Sequence, residues 1–258
     1  MEVQVRSDQK VTYIAHMGDD KDVVEDARTS VRTKGGKRSE NRDLTDRDEN
    51  LIKELMAYGH ASTLRGCVLK VEVETTIAMQ RQIRTHWVGN KQIWPDVNFD
   101  FDETDFLGFN DQSGKYARYE PTFYVPTLEM TRVEVDGFKP MKPEYQSATE
   151  DQYNAMVQLM AFSYRRDWES YVSLNEMGVS REITRLLLPG GIYVAGRITA
   201  NLNGWLGLIS KRIDHPDNAM VTKPQAEFQD IAEQVEAIIQ ERWPKVHEIW
   251  SKNGRTRM

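Results

Sequence analysis

The sequence predicts a mixed fold of helices and strands, in the α/β or α+β class, and three observations lead there. Residues 67–74, CVLKVEVE, form a run rich in β-branched side chains, which favour an extended, pleated backbone. Residues 148–177 and 225–240 place apolar side chains at helical spacing. Strand-like and helix-like segments interleave along the chain instead of segregating, which excludes an all-α or all-β domain.

Each element follows in order. Val3, Val5, Val11 and Tyr13 alternate with polar residues, predicting strands that feed the segment IAHMGDD. Residues 29–50 are dense in charge, contain Gly35-Gly36 and lack an apolar period, as a surface loop does. A helix is expected after Thr45 as N-cap, with Leu51, Ile52, Leu55 and Met56 on one face and Gly59 as terminator. The 67–74 strand comes next, then a short helix from Ile77 to Ile83. Residues 94–108, WPDVNFDFDETDFLG, read as an acidic, aromatic insertion without helical period, starting near residue 92. Ser147 and Glu150 have capping-box spacing before a long helix. Tyr153, Met156, Met160, Tyr164, Trp168 and Tyr171 recur along it, a stripe that suits a core or a subunit interface better than a cofactor site. Ser180 is placed to cap a further helix ending at Leu188, before Pro189. Residues 192–199, IYVAGRIT, fit strand and helix equally well. An amphipathic helix over 225–240 carries Phe228, Ile231, Val235, Ile238 and Ile239, with Pro224 near its start.

Composition narrows the function classes. The chain has 258 residues, 39% hydrophobic and 29% charged, which fits one large domain or two small ones; a single domain over 1–258 is expected. With 34 basic and 40 acidic side chains, the net charge of −6 gives no general electrostatic reason to bind nucleic acid. No apolar run reaches about 18 residues, and MEVQVRSDQK lacks a secretory apolar stretch, so a soluble cytoplasmic protein without membrane association is expected. Cys67 is the single cysteine, which excludes internal disulfides and all-cysteine metal sites. The five histidines are scattered, and no metal is expected; Asp214-His215 reads as a solvated loop before Pro216. Phosphate-cradling, dinucleotide-binding, zinc-protease, redox-dithiol and serine-hydrolase motifs are absent from the sequence.

Several clusters remain. GHAS at 59–62 sets a histidine and a hydroxyl just past a helix end. RQIRTHW at 81–87 groups two arginines, a glutamine, a histidine and a tryptophan within two turns. NDQSGKY at 110–116 offers backbone N–H groups, a hydroxyl, a carboxylate and a cation, the equipment of a nucleotide site. Taken singly, these also fit a cap and turn, a solvated helix face and an ordinary turn. Arg185 lies in REITRLLLP, and NLNGWLGLISKR at 201–212 carries Asn201, Asn203 and Arg212 beside Gly204 and Gly207. Small residues there suit close approach of a flat ligand or tight helix packing.

In this order the clusters resemble the flavin-dependent thymidylate synthase family, from about Val11 to Glu227. MGDDKDVVEDARTS is similar to the family's acidic turn and Ala-Arg-x-Ser helix; GHAS matches its Gly-His-x-Ser/Thr, and HASTLRGCVLKVEVETTIAMQRQ runs ungapped to its Arg-Gln. FNDQSGKYARYEPTFYVP resembles the Asn-Glu-x-Ser-x-Arg-Tyr block, and SREITRLLLP the Ala-Arg-x-x-Leu-Pro block. NLNGWLGLISKR followed by QAEF resembles the closing Asn, Arg and Gln-x-Glu elements. The departures are definite. The hallmark Arg-His-Arg reads Thr85-His86-Trp87, with Arg84 one position early. Ser113 stands 26 residues beyond Trp87, the excess being the acidic insertion. The family's arginine after the serine is Lys115, its glutamate Asp111 and its helix asparagine Gly207. Arginine to lysine exchanges a two-pronged clamp for a point charge.

The resemblance implies a central sheet with long helices, and a chemistry in which NADPH reduces FAD and methylenetetrahydrofolate supplies a one-carbon unit to C5 of dUMP. A cysteine nucleophile is not needed, which suits a structural Cys67. By carried-over position Arg212 stabilises ionised uracil as the catalytic residue; Gln82, Arg84, Asp111, Gln112, Ser113, Gly114, Lys115 and Arg185 hold the nucleotide. His60, Ser62, Thr85, His86, Trp87, Asp111, Asn201 and Gly207 line the flavin pocket, with Trp87 offering a flat face for stacking. The family implies a homotetramer with sites at subunit interfaces. Two alternatives stay open: modification of C5 in another pyrimidine nucleotide or addition of a hydroxymethyl group, and a non-catalytic nucleotide- or flavin-binding homologue.

Overall fold

A computed structural model describes residues 3–29, 43–88, 106–135 and 144–256. In chain order the first elements are β1 (Gln4–Arg6), β2 (Lys10–Met17), α1 (Asp20–Thr29), α2 (Asp46–Ala57), α3 (Ser62–Arg65), β3 (Val68–Thr76) and α4 (Ile77–Val88). Then come β4 (Phe106–Asp111), β5 (Thr122–Tyr124), β6 (Arg132–Glu134), β7 (Tyr145–Ser147), α5 (Glu150–Glu176) and α6 (Arg181–Thr184). A 3₁₀ turn at Arg185–Leu187 leads to β8 (Tyr193–Asn201), α7 (Leu202–Arg212), α8 (Ala226–Arg242) and α9 (Pro244–Lys252). The mixed class expected from the sequence is therefore correct. A four-stranded sheet has the order β2-β3-β8-β4. β1 pairs in parallel with β5, Val5 opposite Phe123, and β6 pairs antiparallel with β7, Val133 opposite Gln146. No described helix is long and apolar enough to cross a membrane.

The chain divides into two compact units. One comprises residues 1–9, 74–82 and 111–196, the other residues 10–73, 83–110 and 197–258. In the first, Phe123, Tyr164, Trp168, Tyr171 and Ile192 form the core. The Phe123 and Tyr164 rings stack with centroids 4.7 Å apart, and the Tyr164 hydroxyl donates to Tyr124 O at 2.9 Å. Gly191 is small because Tyr164 occupies the space where a side chain would go: a Cβ there would meet its hydroxyl at 2.3 Å. The aromatic stripe of α5 is thus core along its second half, as its spacing suggested.

In the second unit β3 buries Leu69, Val71 and Val73 in strict alternation with partly exposed neighbours. α7 is buried from Leu202 to Ile209 and packs on α8, whose Phe228, Ile231, Val235 and Ile239 are buried as the apolar period required. The buried Asp20 carboxylate accepts from the N–H groups of Lys245 and Val246 at 3.0 and 2.9 Å, capping α9 from across the sequence. Arg255, 3% exposed and at φ 50°, makes two 2.7 Å hydrogen bonds to Glu236 and lies 4.6 Å over Trp250. His247 reaches the same carboxylate at 2.8 Å.

Several boundaries differ from the sequence reading. Ser147 ends β7, and the cap of α5 is Thr149 with Gln152, two residues on; both pairs satisfy the capping pattern, but only the later one lies beyond the strand. Ser180 precedes α6 without a side-chain cap, and the helix lasts one turn before the 3₁₀ turn ends at Leu187. The 77–83 helix continues to Val88. Of residues 192–199, all but Ile192 belong to a strand, β8, and Ile192 makes an isolated antiparallel bridge to Phe123. The end of the loop assigned to 29–50 is already helical in α2, where Asp48 accepts from the Thr45 N–H and hydroxyl. Of the 94–108 insertion, residues 106–108 open β4; the rest lies outside the described residues, as do 30–42 of the charged loop.

Candidate functional site

The first unit holds one part of the candidate residues. Asp111 closes β4, and the chain then turns through Gln112, Ser113, Gly114 and Lys115. Gln112 fastens that turn to β8: its N–H donates to Ala195 O at 2.9 Å, and its side-chain oxygen accepts from Ala195 N at 3.4 Å. The Ser113 hydroxyl accepts from Lys115 N at 3.3 Å, and its carbonyl from the N–H groups of Tyr116 and Ala117. Gly114 is required by the Tyr119 ring, which an added Cβ would meet at 2.3 Å. Gly196 makes room in the same way for Asp111 and Gln80, whose polar atoms would lie 2.8 Å from a Cβ. These glycines are small because polar side chains crowd them.

A second segment joins the turn. Lys115 Nζ lies 2.8 Å from Glu182 Oε1 on α6, with both side chains about half exposed. Arg181 donates through Nη1 to Tyr116 O at 3.1 Å. The hydrogen bond and charge of Lys115, with the charge of Arg185, hold the Glu182 carboxyl below the usual carboxylate range. Arg185 is exposed where the 3₁₀ turn begins, and Gln82 is half-buried on α4. Lys115 and Arg185 thus bring two exposed cations to the Glu182 carboxylate, charge that suits an anionic ligand. Glu182 and Arg181 escaped the sequence reading. Their own surroundings, S-R-E, look like a helix start, and the tie to Lys115 spans 67 positions.

The second unit holds the other part. Asn201 is 3% exposed, and its side-chain oxygen accepts from Gly204 N at 2.9 Å, so this polar residue serves as the N-cap of α7. Gly207 lies in the buried stretch of that helix. Arg212 occupies its last turn, where the helix dipole favours a cation, and its guanidinium lies 4.6 Å over the Phe228 ring. Burial pushes the Arg212 guanidinium down from its ordinary value, yet arginine starts high enough to remain a cation throughout the working range. Arg84 is exposed on α4 and lies 4.4 Å over Phe109. Thr85 is exposed beside it; His86 and Trp87 continue the helical backbone. Gly59, at φ 69°, ends α2 as expected, leaving His60 and Ser62 exposed after it.

Cys67 is fully buried, and burial pushes its thiol up to about 12. Such a thiol is a poor nucleophile at neutral pH. Among the described residues no group of three histidine, cysteine or acidic side chains is placed to hold a metal.

The profile of the family described as thymidylate synthase complementing protein matches residues 12–245. The chain belongs to that family. Among curated relatives, the flavin-dependent thymidylate synthase of Tropheryma whipplei is 25% identical over 249 residues, covering 96% of this chain and 95% of the relative. That of Streptomyces avermitilis is 28% identical over 252 residues, covering 97% and 94%. Among solved structures, a UMP/dUMP methylase from Streptomyces cacaoi is similar at 26% identity. Its complex with 5-Br dUMP superposes with a TM-score of 0.82 over 99% of this chain and 100% of that one. The complex with 5-Br UMP gives 0.81 over 99% of each.

Proposed function

We propose that this protein is an enzyme that methylates C5 of dUMP to give dTMP, using methylenetetrahydrofolate and NADPH through bound FAD. One observation carries the reading: the near-complete superposition on a UMP/dUMP methylase solved with uracil nucleotide analogues. The family match across residues 12–245 supports treating the chain as one functional domain.

The roles are those the family resemblance carries over by position, and the chemistry of the side chains suits them. Lys115 and Arg185 take the nucleotide phosphate, with Ser113, Gly114, Gln112, Asp111 and Gln82 contributing polar contacts. Arg84 adds a further cation to the nucleotide grip. The turn suits this work because Gln112 and Ser113 fix its backbone while the Lys115 ammonium stays exposed. Arg212 stabilises negative charge on the uracil. Its placement at a helix end over an aromatic ring restricts its motion, so little reorganisation is needed as that charge develops.

The donor set of the second unit fits a flavin in kind. The exposed hydroxyls of Ser62 and Thr85 and exposed His60 match the polar edge of an isoalloxazine and a ribityl chain, whereas Asn201, carried over with them, is buried and caps α7 through its side-chain oxygen. His86, Trp87 and Gly207 complete the second unit's share of the residues carried over from the family; Asp111, also carried over, belongs to the first unit. When bound, the flavin supplies reducing equivalents. Cys67 is left a structural role, in keeping with its burial.

A second reading, methylation of UMP, draws on the pair of analogues bound by the Streptomyces cacaoi enzyme and on Thr85-His86-Trp87 replacing the family's Arg-His-Arg. We also propose a homotetramer. Leu159 and Phe162 on α5 are 70% and 69% exposed, apolar surface that association would cover; sedimentation velocity tests it. For the reaction, the purified protein is incubated with FAD, NADPH and methylenetetrahydrofolate, and loss of the C5 hydrogen is followed with dUMP, UMP and dCMP in turn. Release from dUMP with formation of dTMP is expected. Exclusive release from UMP would transfer the assignment to the second reading. A colourless protein that takes up no FAD would remove both.

A further inference from the structure

The pairing of Lys115 with Glu182 has no counterpart in the roles assigned above. Nζ and Oε1 are 2.8 Å apart, and both side chains are about half exposed, so either can turn into solvent at small cost. The backbones carrying them are held by other contacts: Arg181 to Tyr116 O at 3.1 Å, and Ser113 Oγ to Lys115 N at 3.3 Å. Opening the pair therefore leaves the turn and α6 in place. Within residues 113–117 and 180–187 the cations are Lys115, Arg181 and Arg185, and the only acid is Glu182.

We propose that Glu182 is a built-in competitor for the substrate phosphate, its carboxylate holding Lys115 until a nucleotide monophosphate displaces it. This rests on the nucleotide reading above and adds a specificity-determining residue to it. A phosphate monoester near neutral pH carries up to two negative charges and three acceptor oxygens, against one charge on the carboxylate, so the exchange favours the phosphate. An uncharged nucleoside offers nothing to replace Glu182 and leaves the pair closed. The carboxylate thus raises the threshold for every ligand that lacks a strong anion.

The test measures dissociation constants of dUMP, deoxyuridine and inorganic phosphate for wild type, Glu182→Gln, Lys115→Ala and the double variant. Melting temperatures serve as the folding control, and wild-type turnover of dUMP is measured alongside. Glu182→Gln should tighten dUMP and phosphate about two- to fivefold, the size of an exposed ion pair, and leave deoxyuridine unchanged. With Lys115→Ala present, the same change should have less than about half that effect. Unchanged or weaker dUMP binding by Glu182→Gln, with wild-type turnover intact, overturns the competitor and leaves the methylase reading standing. Tighter phosphate binding with no nucleotide bound by any variant instead overturns the nucleotide reading.

Discussion

Arg212 and Lys115 are both cations proposed to meet the nucleotide, and the protein holds them by opposite means. Arg212 ends a helix buried from Leu202 to Ile209 and rests on the face of Phe228. Lys115 stands on an exposed turn and is held by the exposed Glu182. Arg255 supplies a third case, buried and locked to Glu236 by paired hydrogen bonds. Confinement suits a group that must meet developing charge without reorganising, whereas an exposed exchangeable pair suits one that admits and releases a phosphate. The buried arginine has no exchange to make, and its contacts go into stability.

The largest effect should come from breaking the confined case. Arg212→Ala is expected to lower kcat at least about 100-fold while FAD remains bound. Near-normal turnover in that variant would remove the proposed role and leave the contrast without content.

Arg255 and Glu236 test the buried case. Burial pushes the Glu236 carboxyl up, but hydrogen bonds and charge from His247 and Arg255 more than reverse this, bringing it to about 2. A carboxyl depressed on folding stabilises above its unfolded value and loses that contribution as pH falls through its folded value. Stability worth on the order of 3 kcal/mol should therefore disappear between about pH 4.5 and 2. Urea titrations of wild type and Glu236→Gln should converge over that window; a constant difference between them would refute the assignment.

The exposed turn should respond more mildly. Gly114→Ala drives a Cβ into the Tyr119 ring, and overpacking of this kind costs about 1–3 kcal/mol. The Michaelis constant for the nucleotide should rise more than kcat falls, because the turn is proposed to grip the nucleotide and not to take part in the chemistry. The smallest effect belongs to Cys67→Ala, where turnover should stay within about twofold of wild type because the thiol, pushed up to about 12, remains protonated. Loss of activity with the fold intact would reopen thiolate chemistry.

Long periodic elements were legible in the sequence because their signals are local. Phe228, Ile231, Val235 and Ile239 announce α8, and Val68 to Val73 announce β3. Thr149 and Ser147 show where local signals become degenerate, since each stands three residues before an acid or amide, and pairing in β7 decides between them. The helix α9 went unread although Pro244 marks its first turn, because its cap, Asp20, is 224 positions away. For the candidate site, family resemblance selected the residues, but not how they are held. The Phe228 platform and the Glu182 partner are properties of three-dimensional packing that no window of sequence contains.

Asn201 is the last residue of β8 and the cap of α7, so strand passes into helix without a single intervening loop residue. Such a junction has no slack to absorb an insertion. One residue added after Asn201 would advance the helix by about 100° around its axis, turning Arg212 away from Phe228 and the buried face into solvent. The angular phase of the proposed catalytic cation is thus set eleven residues upstream, where a strand stops.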